Sequence, residues 1–198
     1  MIGRALLAAT LSLTASGVMA DNLQRAEEIV GGRCFLCHGL EGEAASALYP
    51  RLASQNADYI TKQLGDFKSG KRKSETMAGM VTDLTPEDMK ALGQFFQKKP
   101  AVHSDVTDAD LASVGRYIFT KGNQFSGVAA CTTCHGPKGH GTPQLPRLAG
   151  QQALYIENQL KQFNTRERNN DNAVMHSIAS KLTELEVKGV ANYISALE

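Results

Sequence analysis

The chain has 198 residues, with 21 Lys+Arg against 20 Asp+Glu, no Trp and 6% aromatic residues. That length suits one or two compact domains. A net charge of +1 gives no basic footprint for nucleic acid and no polybasic patch for a membrane. The 42% hydrophobic content overstates the interior, because 13 of the first 20 residues are hydrophobic. What remains is thin core material for one domain and thinner for two.

Residues 1–20 combine one basic residue, Arg4, an apolar run from Ala5 to Val18 and a Val18-Met19-Ala20 ending. This is the layout of a cleaved secretory signal. The run is too short and too rich in Ser and Thr for the ~20 apolar residues of a membrane span. The expectation is an exported chain beginning near residue 21, with no transmembrane segment and no net charge.

The sequence predicts a first helix over Asn22–Gly32, followed by Cys34-Phe35-Leu36-Cys37-His38-Gly39. Pro50-Arg51-Leu52-Ala53-Ser54-Gln55 comes next, then a helix over Asp58–Lys68 with Tyr, Ile, Leu and Phe at helical spacing. Thr85 caps a last helix, with Pro86 at its first position, Glu87-Asp88 in its first turn and Met89, Leu92 and Phe96 as its stripe. Residues 100–109 read as a linker. The order then repeats. A helix over Asp110–Thr120 precedes Cys131-Thr132-Thr133-Cys134-His135-Gly136, 97 residues after the first cysteine motif. Pro146-Arg147-Leu148-Ala149-Gly150-Gln151 leads into a helix over Leu154–Asn164, and Thr183 caps the last helix, striped by Val187, Val190 and Ile194. Residues 50–67 and 146–163 share 11 of 18 identities. No run alternates as a half-buried strand does. The expectation is an all-α tandem duplication, units 21–99 and 110–198, each neutral.

Three readings compete for the cysteines. A thioredoxin-type disulfide needs a βαβ context, and a zinc site needs four N/S ligands where each half offers two Cys and one obvious His. Cys-x-x-Cys-His is the attachment signature of c-type haem. Two copies in a duplicated helical unit behind an export signal favour two covalent haems, on Cys34/Cys37 and Cys131/Cys134, with His38 and His135 as axial ligands. Two large flat apolar cofactors also explain the thin core.

A methionine is the usual second ligand in electron-transfer cytochromes. Aligning Leu84-Thr85 with Leu182-Thr183 sets Met77 opposite Met175, each seven residues before the Leu. The ungapped register of the Pro-Arg-Leu-Ala block instead pairs Met80 with His176. The first register keeps the Leu-Thr match and is preferred, giving two closed His/Met sites. Pro50 and Pro146 are candidate acceptors for the histidine Nδ1–H, or plain loop prolines. Arg51 and Arg147 are candidate partners of haem propionates, or exposed arginines. Tyr59, Gln63, Tyr155 and Gln159 read as packing residues within reach of a propionate, Lys71-Arg72-Lys73 as a solvated run, and His103 and His140 as linker and loop residues.

With these motifs in both halves, the chain resembles the dihaem cytochrome c4 family over essentially all of 21–198. The resemblance implies two class I cytochrome c domains related by pseudo-twofold symmetry, with the haem edges facing across the domain interface. It also implies methionine ligands at Met77 and Met175. The implied role is a periplasmic electron carrier, monomeric and not an enzyme. Its partners would be respiratory redox proteins, a quinol-oxidising complex and a terminal oxidase among them, with loose membrane association in some members. The alternatives are a cytochrome subunit of a larger sulfide- or alcohol-oxidising enzyme and a dihaem peroxidase. The near-equivalence of the two units argues against the peroxidase.

Overall fold

The computed structural model describes residues 22–198. The signal-like segment therefore lies outside the described residues. Helix α1 (residues 22–29) runs through a π-helical turn, Val30–Cys34, into the short α2, Phe35–His38. The expected stop at Gly31-Gly32 does not occur. The extra residue of the π turn accommodates both glycines and carries the helix on into the cysteine motif. Then follow α3 (Ala57–Lys68), α4 (Glu75–Val81) and α5 (Pro86–Gln97).

The C-terminal half repeats the order with α6 (Ala109–Lys121), α7 (Thr132–His135), α8 (Ala153–Thr165), α9 (Val174–Ala179) and α10 (Glu184–Ser195). Here the first helix does stop, at Gly122 with φ of 70°. A loop closed by the Asn123–Val128 bridge separates it from Cys131. Among the described residues that bridge is the only β pairing, so the protein is all-α.

Each last helix begins in a full capping box. The Thr85 hydroxyl accepts from the Asp88 backbone and the Asp88 carboxylate accepts from the Thr85 backbone. Thr183 and Glu186 do the same for α10. The register deduced from Leu-Thr thus coincides with the two helix starts.

Each half has its own core. Ala26, Val30, Ile60, Val81, Leu92 and Phe96 are among the buried residues of one, and Ile118, Phe119, Leu160, Val190 and Ile194 among those of the other. Helix α6 crosses α10 where Gly115 meets Gly189, and a Cβ on Gly115 would overlap the Gly189 carbonyl. The segment 100–109 is fastened rather than free. The Ser104 backbone donates to the Ser195 carbonyl (2.8 Å), and Asn192 donates to the Thr107 hydroxyl (2.7 Å).

Candidate functional site

In both halves the cysteine motif folds into one helical turn, which sets its first cysteine against the adjoining core and leaves Cys134 exposed. Cys34 and Met77 pack against the N-terminal cluster, with Leu52 and Leu64. Cys131 and Met175 pack against the C-terminal cluster, with Leu148 and Ile178. Each candidate methionine sits near the start of a short helix, α4 or α9. The Met77 N–H donates to the N-cap Ser74 Oγ (3.3 Å), and the Met175 N–H donates to Asp171 Oδ2 (2.5 Å). Met80 is 40% exposed. The His176 ring is engaged through Nδ1 with the Phe163 carbonyl (3.0 Å).

His38 and His135 are buried, 8% and 7% exposed. Their Nδ1 atoms lie 3.0 Å from the Pro50 carbonyl oxygen and 3.2 Å from that of Pro146. A carbonyl only accepts, so each Nδ1 carries the proton and each Nε2 keeps its lone pair. Burial lowers both histidine pKa values, with the proline hydrogen bond opposing it. Neutral imidazole with a free Nε2 is the form that binds a metal. Burial raises the Cys34 thiol, against the pull of Arg33, and pushes Cys131 up to about 11. All four cysteines are free thiols. Among the described residues no three His, Cys, Asp or Glu side chains gather as a metal cluster.

Between the halves runs a polar belt with pseudo-twofold symmetry. Arg72 stacks over Phe67 (4.6 Å), donates to Gln63 of its own half (2.7 Å), and crosses to Tyr155 (3.0 Å) and Gln159 (2.9 Å). Arg168 stacks over Phe163 (4.5 Å), donates to Gln159 of its own half (2.7 Å), and crosses to Tyr59 (2.8 Å) and Gln63 (3.2 Å). One part of the belt is asymmetric. Asn170 donates to Asp66 (2.6 Å) and Gln63 (3.0 Å), and Lys62 pairs with Asp66. Gln162 stands where a second Asp66 would be. Burial pushes the Tyr155 phenol up, but Arg72 and Arg168 outweigh it and hold the group below its ordinary value.

Arg51 and Arg147 also lie at this contact, not out in solvent. Arg51 donates to the Gly150 carbonyl (2.6 Å) and Ser104 Oγ (3.1 Å), and Arg147 to the Ala149 carbonyl (3.2 Å). Burial lowers the pKa of both. The Arg51 Nε is buried with no partner. Among the described residues none of these four arginines has a carboxylate within ion-pair distance. A cationic belt with an orphaned donor, beside two histidines offering Nε2, fits a group carrying both carboxylates and iron. Haem is such a group.

The sequence reading missed two features. Arg72 does not belong to a solvated run: its neighbours Lys71 and Lys73 are exposed while its own side chain turns inward. Gln55 and Gln151 were noted only as repeat identities. Each is 6% exposed and reaches into the other half. Their identity in both copies was the available signal.

Residues 119–198 match the cytochrome c family model, and residues 21–96 match the model for cytochrome C oxidase, cbb3-type, subunit III. Cytochrome c4 of Pseudomonas aeruginosa is 35% identical over 168 residues, 83% of this chain and 83% of its own. The thiosulfate dehydrogenase electron acceptor of Stutzerimonas stutzeri is 35% identical over 167 residues, 82% of this chain and 77% of its own. The crystal structure of reduced recombinant cytochrome c4 from Pseudomonas stutzeri superposes with a TM-score of 0.83 at 32% identity, covering 89% of this chain and 98% of that one.

Proposed function

Because the chain belongs to the cytochrome c4 family, a dihaem electron carrier with two covalent haem c groups, we propose that it works in the periplasm. There it would pass electrons between respiratory redox proteins such as a quinol-oxidising complex and a terminal oxidase. Its units are 21–99 and 110–198, joined by 100–109. In this reading Cys34/Cys37 and Cys131/Cys134 hold the haems, and His38 with Met77 and His135 with Met175 are the axial ligands. The observation that carries it is the equivalence of the halves. In each, a buried neutral histidine with a free Nε2 and a methionine on a short helix serve the same apolar cluster.

When bound, each haem supplies a one-electron iron couple. The residues hold that couple ready. The Pro50 and Pro146 carbonyls fix the two rings and raise their basicity. The thioether of a methionine favours the reduced state. Arg51, Arg72, Arg147 and Arg168 offer positive charge and donors to the carboxylate edges. Closed sites leave no position for a substrate, so the carrier is not an enzyme. Among the described residues no helix is long and apolar enough to cross a membrane.

The test is an optical and EPR redox titration of the holoprotein, repeated for Met77→Ala and Met80→Ala. Two low-spin haems with a His/Met charge-transfer band are expected, and Met77→Ala alone removes that band from one haem. Loss of the band in Met80→Ala would overturn the assignment. A second reading, an electron-accepting subunit of a thiosulfate-oxidising enzyme, draws on the similarity to the S. stutzeri acceptor. Gel filtration of the native material separates a free carrier from a subunit.

A further inference from the structure

The Gln55 and Gln151 side chains perform no task in the reading above, yet each makes a reciprocal pair of bonds across the two halves. Gln151 Oε1 accepts from the Arg51 N–H (2.8 Å) while its Nε2 donates to the Arg51 carbonyl (2.9 Å). Gln55 Oε1 accepts from the Arg147 N–H (2.7 Å) while its Nε2 donates to the Arg147 carbonyl (2.8 Å). The backbone groups fix the orientation of both amides, since each N–H needs an oxygen and each carbonyl a nitrogen.

The Arg51 N–H and the Pro50 carbonyl belong to one planar peptide unit. That carbonyl accepts from His38 Nδ1. A continuous chain therefore runs from His38 Nδ1–H to the Pro50 carbonyl, through the peptide to the Arg51 N–H, and on to Gln151 Oε1 in the other half. Its mirror image runs from His135 through the Pro146–Arg147 peptide to Gln55. Hydrogen bonds at the two ends of an amide polarise one another. An acceptor on the N–H makes the carbonyl a stronger acceptor, which draws the imidazole proton outward and makes Nε2 more basic.

We propose that Gln151 is a positioning residue for the haem held by His38, and Gln55 for the haem held by His135, so that each half tunes the other's iron. The inference rests on His38 and His135 being axial ligands. A more basic imidazole favours ferric iron, so an intact clasp holds each potential down. The clasp also orients the peptide, because both the N–H and the next carbonyl of the arginine are held by one side chain. Contact between the halves thereby becomes part of each haem's electronic environment.

The test uses holoprotein carrying Gln151→Leu or Gln55→Leu, with redox titration and proton NMR of the reduced state. Resonances of Phe67 and Phe163 assign each haem to its half. Gln151→Leu is expected to raise the potential of the His38 haem and move the His38 Nδ1–H resonance upfield, leaving the other haem in place. Gln55→Leu does the converse. No shift at either haem, or a shift confined to the half that carries the substitution, would overturn the proposal. If a leucine variant fails to fold, Gln151→Glu keeps an acceptor and adds negative charge, and it should lower the potential of the His38 haem. An unchanged or higher potential there would refute the idea. The wild-type spectrum tests the ligand reading separately. Two sets of strongly ring-current-shifted imidazole resonances establish the ligands, and their absence overturns that reading before any variant is compared.

Discussion

Arg72 and Arg168 occupy equivalent places in the repeat, yet replacing them by Met should have unequal consequences. The Arg168 side chain is almost wholly buried and serves Asn170 (3.2 Å), Gln159 (2.7 Å), Tyr59 (2.8 Å) and Gln63 (3.2 Å). Methionine fills much of the space over Phe163 but gives these acceptors no donor. Leaving buried polar groups unpaired costs ~1–3 kcal/mol each. With several such acceptors left, Arg168→Met is expected to destabilise by about 3–4 kcal/mol. Arg72 is only partly buried and makes three such bonds. Water can replace part of what it offers, and Arg72→Met should cost about 1–2 kcal/mol. Urea unfolding of the holoprotein, followed by circular dichroism, reads both. A double-mutant cycle of Arg168→Met with Tyr59→Phe should show coupling of about 1 kcal/mol. Equal losses for the two arginines, or a loss below about 1 kcal/mol for Arg168, would show that the belt's burial does not govern its energetics.

Two further outcomes follow from local geometry. Burial alone would raise the Glu186 carboxyl, but hydrogen bonds from the Thr183 backbone, Asn123 and the Thr183 hydroxyl together hold it below its ordinary value of 4.5. A depressed folded pKa gives stability that is present above the unfolded value and lost as pH falls through the folded one. Acid titration of stability should thus be less steep in Glu186→Gln than in wild type below about pH 5, and parallel curves would contradict the assignment. Gly115→Ala places a methyl against the Gly189 carbonyl at the α6–α10 crossing. It should lower stability by about 1–3 kcal/mol, despite alanine's better helix propensity. A thermal midpoint at or above wild type would refute the close crossing.

Much of this protein is legible in its sequence. The doubled cysteine motif named the chemistry, the repeat named the architecture, and the Thr85 and Thr183 capping boxes placed the last helices, because these signals act over a few residues. The Leu-Thr register depends on the same short range, and it set Met77 against Met175. Helix ends were less legible: Gly31-Gly32 reads as a stop, and only packing decides that a π turn can absorb it.

The belt was another matter. Arg72 lies between two exposed lysines and looked solvated, and nothing near Arg168 marked it as buried. Gln55 and Gln151 appeared only as identical letters. Their partners stand 92 and 100 residues away. By itself the sequence determined two neutral, core-poor units, each built to close on a haem, since covalent attachment and helix capping are local chemistry. The tertiary structure decided how the units are joined and which side chains reach from one into the other. A hydrogen bond across an interface depends on where two surfaces meet, and that is set by the packing of the whole chain.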